Sequence, residues 1–179
     1  MIILQALYFA LPMYFANMAP VIVKGFPLLA GPIDGGKHIN GKRVLGKNKT
    51  WRGLIAGTLM GGAIISIQST LAQSIPFFEQ LSLLDFSDGS ALWFGLLAGF
   101  GALVGDAVKS FFKRRFGIPS GQPWIPFDQL DFIAGGLVFT AFFYLPPFEV
   151  LLVLLVFTPF LHWGVNVLSY RLGLKDVPW

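Results

Sequence analysis

Apolar residues follow one another in long uncharged stretches rather than alternating with polar residues. Five stretches contain no Asp, Glu, Lys or Arg: 2–23, 53–78, 89–105, 132–148 and 150–170. A hydrocarbon core about 30 Å thick is crossed by roughly 20 helical residues, with about 17 to 25 as the usual range. The pattern therefore predicts an all-α integral membrane protein with five transmembrane helices. The predicted spans are about 2–23, 53–75, 89–112, 131–146 and 149–170.

The composition supports a membrane protein over a soluble one. The 179 residues are 55% hydrophobic and 12% charged, whereas an average soluble domain carries roughly 25% charged residues. A soluble fold of this length could not bury 19 phenylalanines together with the other apolar side chains. The absence of cysteine excludes disulfides, thiolate metal sites and a cysteine nucleophile. We expect residues 1–179 to form a single multi-pass membrane domain.

The basic residues all fall on one side of the five predicted spans. Seven of the thirteen lysines and arginines lie between 24 and 52, four lie between 106 and 131, and two lie in the C-terminal tail. The segments 72–88 and 145–149 contain only acidic charges. Because basic loops remain in the cytoplasm, the N-terminus is predicted outside and the C-terminus inside. The cytoplasmic loops would be 24–52 and 113–130, at the inner face of the cell membrane.

The first cytoplasmic loop combines glycine with positive charge. Residues 31–53 include six glycines, six lysines or arginines and one acid. Glycine lets backbone N–H groups approach an anion, and the N-terminus of the following helix favours negative charge. The pattern favours phosphate binding over a polybasic segment that only touches anionic headgroups. The candidate binding residues are Asp34, Lys37, Lys42, Arg43, Lys47, Asn48, Lys49, Thr50 and Arg52.

The second cytoplasmic segment contains three aspartates. If the third helix continues past Asp106, this residue shares one helix face with Lys109, Ser110, Lys113 and Arg114. Asp128 and Asp131 lie three residues apart at the start of the fourth span, so both can face the same way. Mg²⁺ is typically held by one or two carboxylates together with phosphates and water, but salt bridges to the neighbouring basic residues explain this segment equally well. Because both polar segments lie on one face, a phosphate and metal site is favoured.

Two groups of residues resemble the CDP-diacylglycerol synthase family. Residues 47–53, Lys-Asn-Lys-Thr-Trp-Arg-Gly, resemble its lysine-rich K-T-W-E-G segment. The family's C-terminal signature, G-D…S…K-R…D-R-x-D, is similar to Gly105-Asp106, Ser110, Lys113-Arg114 and Asp128-x-x-Asp131. The small size and the order of the motifs are closest to the archaeal branch, the CDP-archaeol synthases. The chain lacks the family's P-G-H-G-G run and has Arg52 and Gln129 where Glu and Arg are usual.

The resemblance implies transfer of a cytidylyl group from CTP to a membrane lipid phosphate, with release of pyrophosphate. The implied lipid is 2,3-bis-O-geranylgeranyl-sn-glycerol 1-phosphate, and the implied product is unsaturated CDP-archaeol for archaeal phospholipid biosynthesis. The resemblance also implies Mg²⁺ on Asp106 with Asp128 or Asp131. Lys113 and Arg114 would stabilise the departing pyrophosphate, and Lys109 and Ser110 are further substrate-binding candidates on the same helix face.

Two other functions are compatible with the same residues. A CTP-dependent polyprenol kinase would transfer the γ-phosphate and release CDP. A lipid or anion transporter would need a polar path to the outer face, which the nearly uncharged spans do not offer. The expected partners are CTP, a membrane lipid phosphate and the bilayer, rather than nucleic acid, and the sequence leaves a homodimer open.

Overall fold

The uncharged stretches fold as α-helices. The computed structural model describes residues 1–87, 89–173 and 177, so the predicted charges at Asp88 and Lys175 lie outside the described residues. The helices of the described part are α1 (Ile2–Ile22), α2 (Trp51–Ser74), α3 (Pro76–Leu81), α4 (Ala91–Arg115), α5 (Phe127–Thr140) and α6 (Phe148–Arg171). A 3₁₀ turn, Val23–Gly25, follows α1, and a hairpin of β1 (His38–Ile39) and β2 (Lys42–Arg43) lies before α2.

Four helices of the described part are long and apolar enough to cross a membrane. They are Ile2–Gly25, Trp51–Ser74, Ala91–Arg115 and Phe148–Arg171, with 24 or 25 residues each. At 1.5 Å per residue they are about 36 Å long, which exceeds the thickness of a hydrocarbon core. The corresponding predicted spans differ from the observed helices by at most three residues at either end.

The predicted fourth span, 131–146, has different bounds in the structure. Helix α5 contains 14 residues, which is about 21 Å, and it both begins and ends earlier than predicted. It ends early because the N–H groups of Phe143 and Tyr144 both donate to the carbonyl of Thr140, which tightens the chain into a turn. Pro146 and Pro147 follow, and neither has an N–H group to extend the helix.

Two elements of the structure were not predicted. Helix α3 is six residues long and starts with Pro76, whose fixed φ suits the first turn of a helix. The hairpin β1–β2 has two residues in each strand, with His38 opposite Arg43. The predicted all-α class holds for the long elements of the described residues, and the hairpin is a short addition within the first predicted loop.

Glycine lets the helix backbones approach closely. A Cβ atom on Gly61 of α2 would lie 2.9 Å from the backbone of Gly99 on α4, and one on Gly99 would lie 2.6 Å from the carbonyl oxygen of Gly57. Between α4 and α5, a Cβ on Gly101 would lie 2.6 Å from the carbonyl oxygen of Gly135. In lipid the hydrophobic effect does not drive helices together, so close van der Waals packing between such rows of small residues holds the bundle. They bring the start of α5 against the last turns of α4.

Candidate active site

Three aspartates from two helices converge on one lysine. The Nζ atom of Lys109 lies 3.1 Å from Asp106 Oδ1, 2.7 Å from Asp128 Oδ1 and 2.9 Å from Asp131 Oδ2. Asp106 and Lys109 are three residues apart on α4, and Asp128 and Asp131 are three apart in the first turns of α5, so each pair shares a helix face. The structure thus brings the three predicted carboxylates together.

Two further lysines balance the charge of these carboxylates. Lys49, at the end of the loop before α2, pairs with Asp106, and Lys113 Nζ lies 2.8 Å from Asp128 Oδ2. Burying an unpaired carboxylate costs several kcal/mol, so the three ammonium groups are what allow three aspartates to be enclosed here. The salt bridges considered from the sequence are therefore present. We call this group the carboxylate–lysine cluster: Lys49, Asp106, Lys109, Lys113, Asp128 and Asp131.

Asp34 organises the loop between α1 and α2. Its carboxylate accepts hydrogen bonds from the N–H groups of Gly36 (2.9 Å), Leu45 (3.0 Å) and Gly46 (3.2 Å), and Arg43 Nη2 lies 3.3 Å away. The side chain of Asp34 is only 2% exposed. Burial by itself would raise the pKa of Asp34, but the backbone hydrogen bonds outweigh it and hold the pKa well below its usual range. Asp34 and Arg43 therefore pair with each other inside the loop, and their predicted roles in substrate binding stay predictions.

The two ends of this loop are held side by side at the start of α2. The N–H of Ile33 donates to the carbonyl of Lys49 over 2.8 Å. Thr50 caps α2, because its Oγ1 accepts a hydrogen bond from the N–H of Gly53 over 3.3 Å. The cap fixes where α2 begins, and this places Lys49 against Asp106 of α4.

A small cleft opens beside the cluster. It is lined by Asn48, Lys49, Thr50 and Asp106, together with apolar side chains of α1, α2 and α4. Its volume of about 40 Å³ has room for a water molecule or two. A nucleotide is far larger, so only part of such a ligand would fit inside this cleft.

Other predicted binding residues of the loop do not reach the cluster. Lys42 Nζ donates to the backbone carbonyl of Arg115 over 3.2 Å, and Arg52 donates to that of Phe26. Both side chains tie the loop to its neighbours, and their predicted role in binding phosphate stays a prediction. The remaining exposed candidates are Lys37, Lys47 and Asn48.

Two predicted residues of α4 lie next to the cluster without joining its ion pairs. Ser110 is buried inside the bundle, 6% exposed. Arg114 is half-buried in the last turn of α4, and its Nε atom is buried with no hydrogen-bond partner among the described residues.

Arg115 is a functional candidate that the sequence did not indicate. Its guanidinium group donates to backbone carbonyls of the hairpin β1–β2 and stacks over the ring of Phe111, with Cζ 5.0 Å from the ring centroid. Position 115 lies off the helix face that joins Asp106 to Arg114, so the helical spacing gave it no role. Its partners are backbone carbonyls of a hairpin that was not predicted, so they became apparent only in the structure.

The donor set of the cluster suits a hard cation that is shared with a substrate. Among the described residues, no group of three Asp, Glu, His or Cys side chains is arranged to hold a metal ion. Asp106, Asp128 and Asp131 nevertheless offer carboxylate oxygens around a single point, now marked by Lys109 Nζ. Mg²⁺ usually takes few protein carboxylates and completes its shell with phosphates and water. The residues therefore fit Mg²⁺ bound together with a phosphate ligand.

The chain is similar to known proteins along its whole length. The family model described as CarS-like, CDP-archaeol synthase, matches residues 1–179. The CDP-archaeol synthase of Thermococcus onnurineus is 43% identical over 178 residues, covering 99% of this chain and 97% of the relative. That of Methanocaldococcus jannaschii is 40% identical over 182 residues, covering 99% and 98%. A solved structure described as an intramembrane enzyme for archaeal membrane lipids biosynthesis is 31% identical, with a TM-score of 0.67 and coverage of 93% and 92%.

Proposed function

Because the chain belongs to the CDP-archaeol synthase family, whose members are CTP-dependent cytidylyltransferases, we propose that the carboxylate–lysine cluster is its catalytic centre. The reaction joins the cytidylyl group of CTP to the phosphate of 2,3-bis-O-geranylgeranyl-sn-glycerol 1-phosphate and yields unsaturated CDP-archaeol and pyrophosphate. The proposal rests on one observation, the convergence of three aspartates and three lysines beside a glycine-rich basic loop. Family membership supports this function over the polyprenol kinase and the transporter.

The lipid phosphate needs no strong base, because it is already an anionic nucleophile. One of its oxygens forms a bond to the α-phosphorus of CTP, and the bond from that phosphorus to the bridging oxygen breaks as pyrophosphate leaves with the electron pair. The main obstacle is repulsion between two polyanions, so positioning and electrostatic stabilisation supply most of the catalysis. Lys49 would hold the triphosphate or the lipid phosphate, and Lys113 and Arg114 would stabilise the charge of the departing pyrophosphate.

Mg²⁺ is the cofactor that the carboxylates would hold. Asp106, Asp128 and Asp131 would be its protein ligands, and when bound it would neutralise part of the charge of the triphosphate. Lys109 keeps these three carboxylates within 3.1 Å of one point. Carboxylate oxygens from α4 and α5 are therefore already close enough together to share one cation.

The membrane topology follows from the charges and from α5. We infer that α5, continued by the turn at Thr140–Tyr144, forms a fifth crossing, because it packs along α4 through closely spaced glycines such as Gly101 and Gly135. Five crossings place every basic residue on one side, which the positive-inside rule makes cytoplasmic. The catalytic centre would then face cytosolic CTP at the cell membrane. The homodimer considered from the sequence stays a prediction.

The test uses purified protein with Mg²⁺, an archaeal ether-lipid phosphate and CTP labelled on its α-phosphate. We expect label in the lipid fraction together with released pyrophosphate. Unlabelled lipid phosphorylated with release of CDP would indicate the kinase instead. An absence of lipid-dependent CTP turnover by folded protein would contradict both enzymes and leave the transporter.

Variants of the carboxylates connect the activity to the cluster. We expect Asp106→Asn and Asp128→Asn each to lower kcat by about a hundredfold or more, since the loss of one preorganised charged group has effects of this size. Asp85→Asn, in the loop before α4, is the matched control and should keep wild-type turnover. Gel filtration in detergent checks that the variants are folded, and wild-type rates in both cluster variants would refute the assignment.

A further inference from the structure

Arg115 joins the end of α4 to the loop that precedes α2. Its Nη1 donates to the carbonyl of Ile39 over 2.8 Å, and its Nη2 donates to the carbonyls of Arg43 over 2.9 Å and Lys42 over 3.3 Å. In return, Lys42 Nζ donates to the carbonyl of Arg115. One guanidinium group thus engages both strands of the hairpin, and the hairpin side chain engages the helix end.

The hairpin that Arg115 holds is a preformed unit. Asn40 and Gly41 at its tip have φ angles of 51° and 73°, as expected for a tight two-residue turn whose twist matches the strands. Arg115 contacts backbone oxygens, so the attachment fixes the position of the strands themselves. The planar fork of arginine suits several carbonyls at once, whereas a lysine ammonium does not.

The same helix supports the catalytic carboxylates. Asp106 and Lys109 lie about two and a half turns and just under two turns before Arg115 on α4, so the hairpin is attached to the element that carries the cluster. Asp34 shapes the loop from within, but among the contacts described above only those of Arg115 and Lys42 set the hairpin against the end of α4. We infer that Arg115 is a positioning residue: it holds the loop so that its exposed lysines, Lys37 and Lys47, face the bound nucleotide. This inference rests on the proposed function.

Kinetics separate positioning from chemistry. Arg115→Ala should raise the KM for CTP about tenfold, which is the effect of losing roughly one net hydrogen bond to a charged group. The kcat should change by less than about threefold, because Arg115 is not part of the ion pairs of the cluster. Arg115→Lys should give an intermediate KM. Arg171→Ala removes one positive charge at the end of α6 and should leave KM and kcat unchanged.

Amide hydrogen exchange in detergent reports on the loop without any turnover. In Arg115→Ala the amides of residues 38–43 should exchange faster than in the wild type, while those of residues 105–112 on α4 keep their rates. Arg115→Lys should lie between the two, and it provides the decisive comparison if the alanine variant does not fold. Arg171→Ala should exchange like the wild type throughout the hairpin.

The outcomes distinguish this inference from the proposed function. Unchanged exchange at 38–43, or an unchanged KM for CTP, would refute the role of Arg115, and so would a loss of kcat without a rise in KM. Failure of the wild type to transfer the cytidylyl group would instead refute the proposed function. Faster exchange of the hairpin in the same variant would then show that the attachment itself exists.

Discussion

Lys109 is the residue on which the geometry of the cluster depends most. Its ammonium group is the common partner of carboxylates from α4 and α5, and its side chain is 13% exposed. Asp106 and Asp128 each have a second lysine, but Asp131 has no other ion-pair partner among the described residues. The loss of Lys109 would therefore leave a nearly buried carboxylate unpaired.

Replacing Lys109 tests this dependence. Lys109→Met keeps most of the unbranched apolar stem but removes the ammonium group, and it should lower the free energy of unfolding by about 3–5 kcal/mol, as expected when one partner of a buried ion pair is removed. The measurement is the midpoint of thermal unfolding in detergent, with Lys37→Met on the exposed part of the loop as control. Added Mg²⁺ should raise the midpoint of Lys109→Met more than that of the wild type. Equal midpoints for Lys109→Met and the wild type would contradict the role of Lys109.

Asp34 and Arg115 show what the sequence could not reveal about single residues. Both are charged residues in basic segments, and their spacing is compatible with ligand binding or with solvent exposure. Asp34 turns inward because four donors of its own loop surround it. Arg115 finds its partners in backbone carbonyls more than 70 residues away in the chain. Neither set of contacts follows the repeat of a helix or a strand, so no spacing in the sequence points to it.

At the scale of elements, the packing of α4 on α5 decides where the carboxylates lie. Gly105 precedes Asp106 directly, and a Cβ atom there would collide with the carbonyl oxygen of Asp131 and lie 3.0 Å from the Cα of Gly135. The glycine contact and the ion pairs are therefore neighbours in the same interface. A shift of α5 by the width of a methyl group would move Asp128 and Asp131 away from Lys109.

A methyl group at this interface should disturb catalysis. Gly105→Ala forces α4 and α5 apart, and overpacking of this kind costs about 1–3 kcal/mol. We expect a lower unfolding midpoint and a loss of kcat of about tenfold or more, because misplaced catalytic groups have large kinetic effects. Gly164→Ala on α6 adds the same methyl group where nothing lies within 4 Å and should leave both quantities unchanged. Wild-type kcat in Gly105→Ala would show that the contact is not needed for alignment.

The long helices were predictable because their length is a local property of the sequence. Uncharged stretches such as 150–170 determine a helix nearly to its ends. Helix α5 is different, because its early end depends on the turn that Thr140 makes with Phe143 and Tyr144. The convergence of Asp106 with Asp128 was foreseeable only in outline, since the helical spacing aligns residues within each element but does not reveal how two elements meet.

At the scale of the whole molecule, the number of crossings determines which side each loop occupies. In the proposed orientation, a crossing at α5 would put the turn at 141–147 outside and the end of α6 inside. Without that crossing the two positions would exchange sides, while the loop before α2 would stay in the cytoplasm. The chain contains no cysteine, so single introduced thiols report on this directly.

We predict the labelling pattern for three single-cysteine variants, Asn40→Cys, Leu145→Cys and Leu172→Cys. In intact cells a membrane-impermeant maleimide should modify only Leu145→Cys, because the five-span topology places the other two positions in the cytoplasm. Permeabilised cells provide the control, since all three thiols should then react. Labelling of Leu172→Cys from outside, with Leu145→Cys protected, would establish four crossings.

The equal numbers of aspartates and lysines in the cluster also affect which ligands can enter. A free cation would have to displace ammonium groups and leave them without counterions, and a free polyphosphate would strand the carboxylates in the same way. A ligand that carries both a cation and phosphates can pair with the carboxylates and with the ammonium groups at the same time, so neither set loses its counterions. On the proposed function, the resting cluster would discriminate against either ion alone and would favour the metal–nucleotide pair as the species that binds.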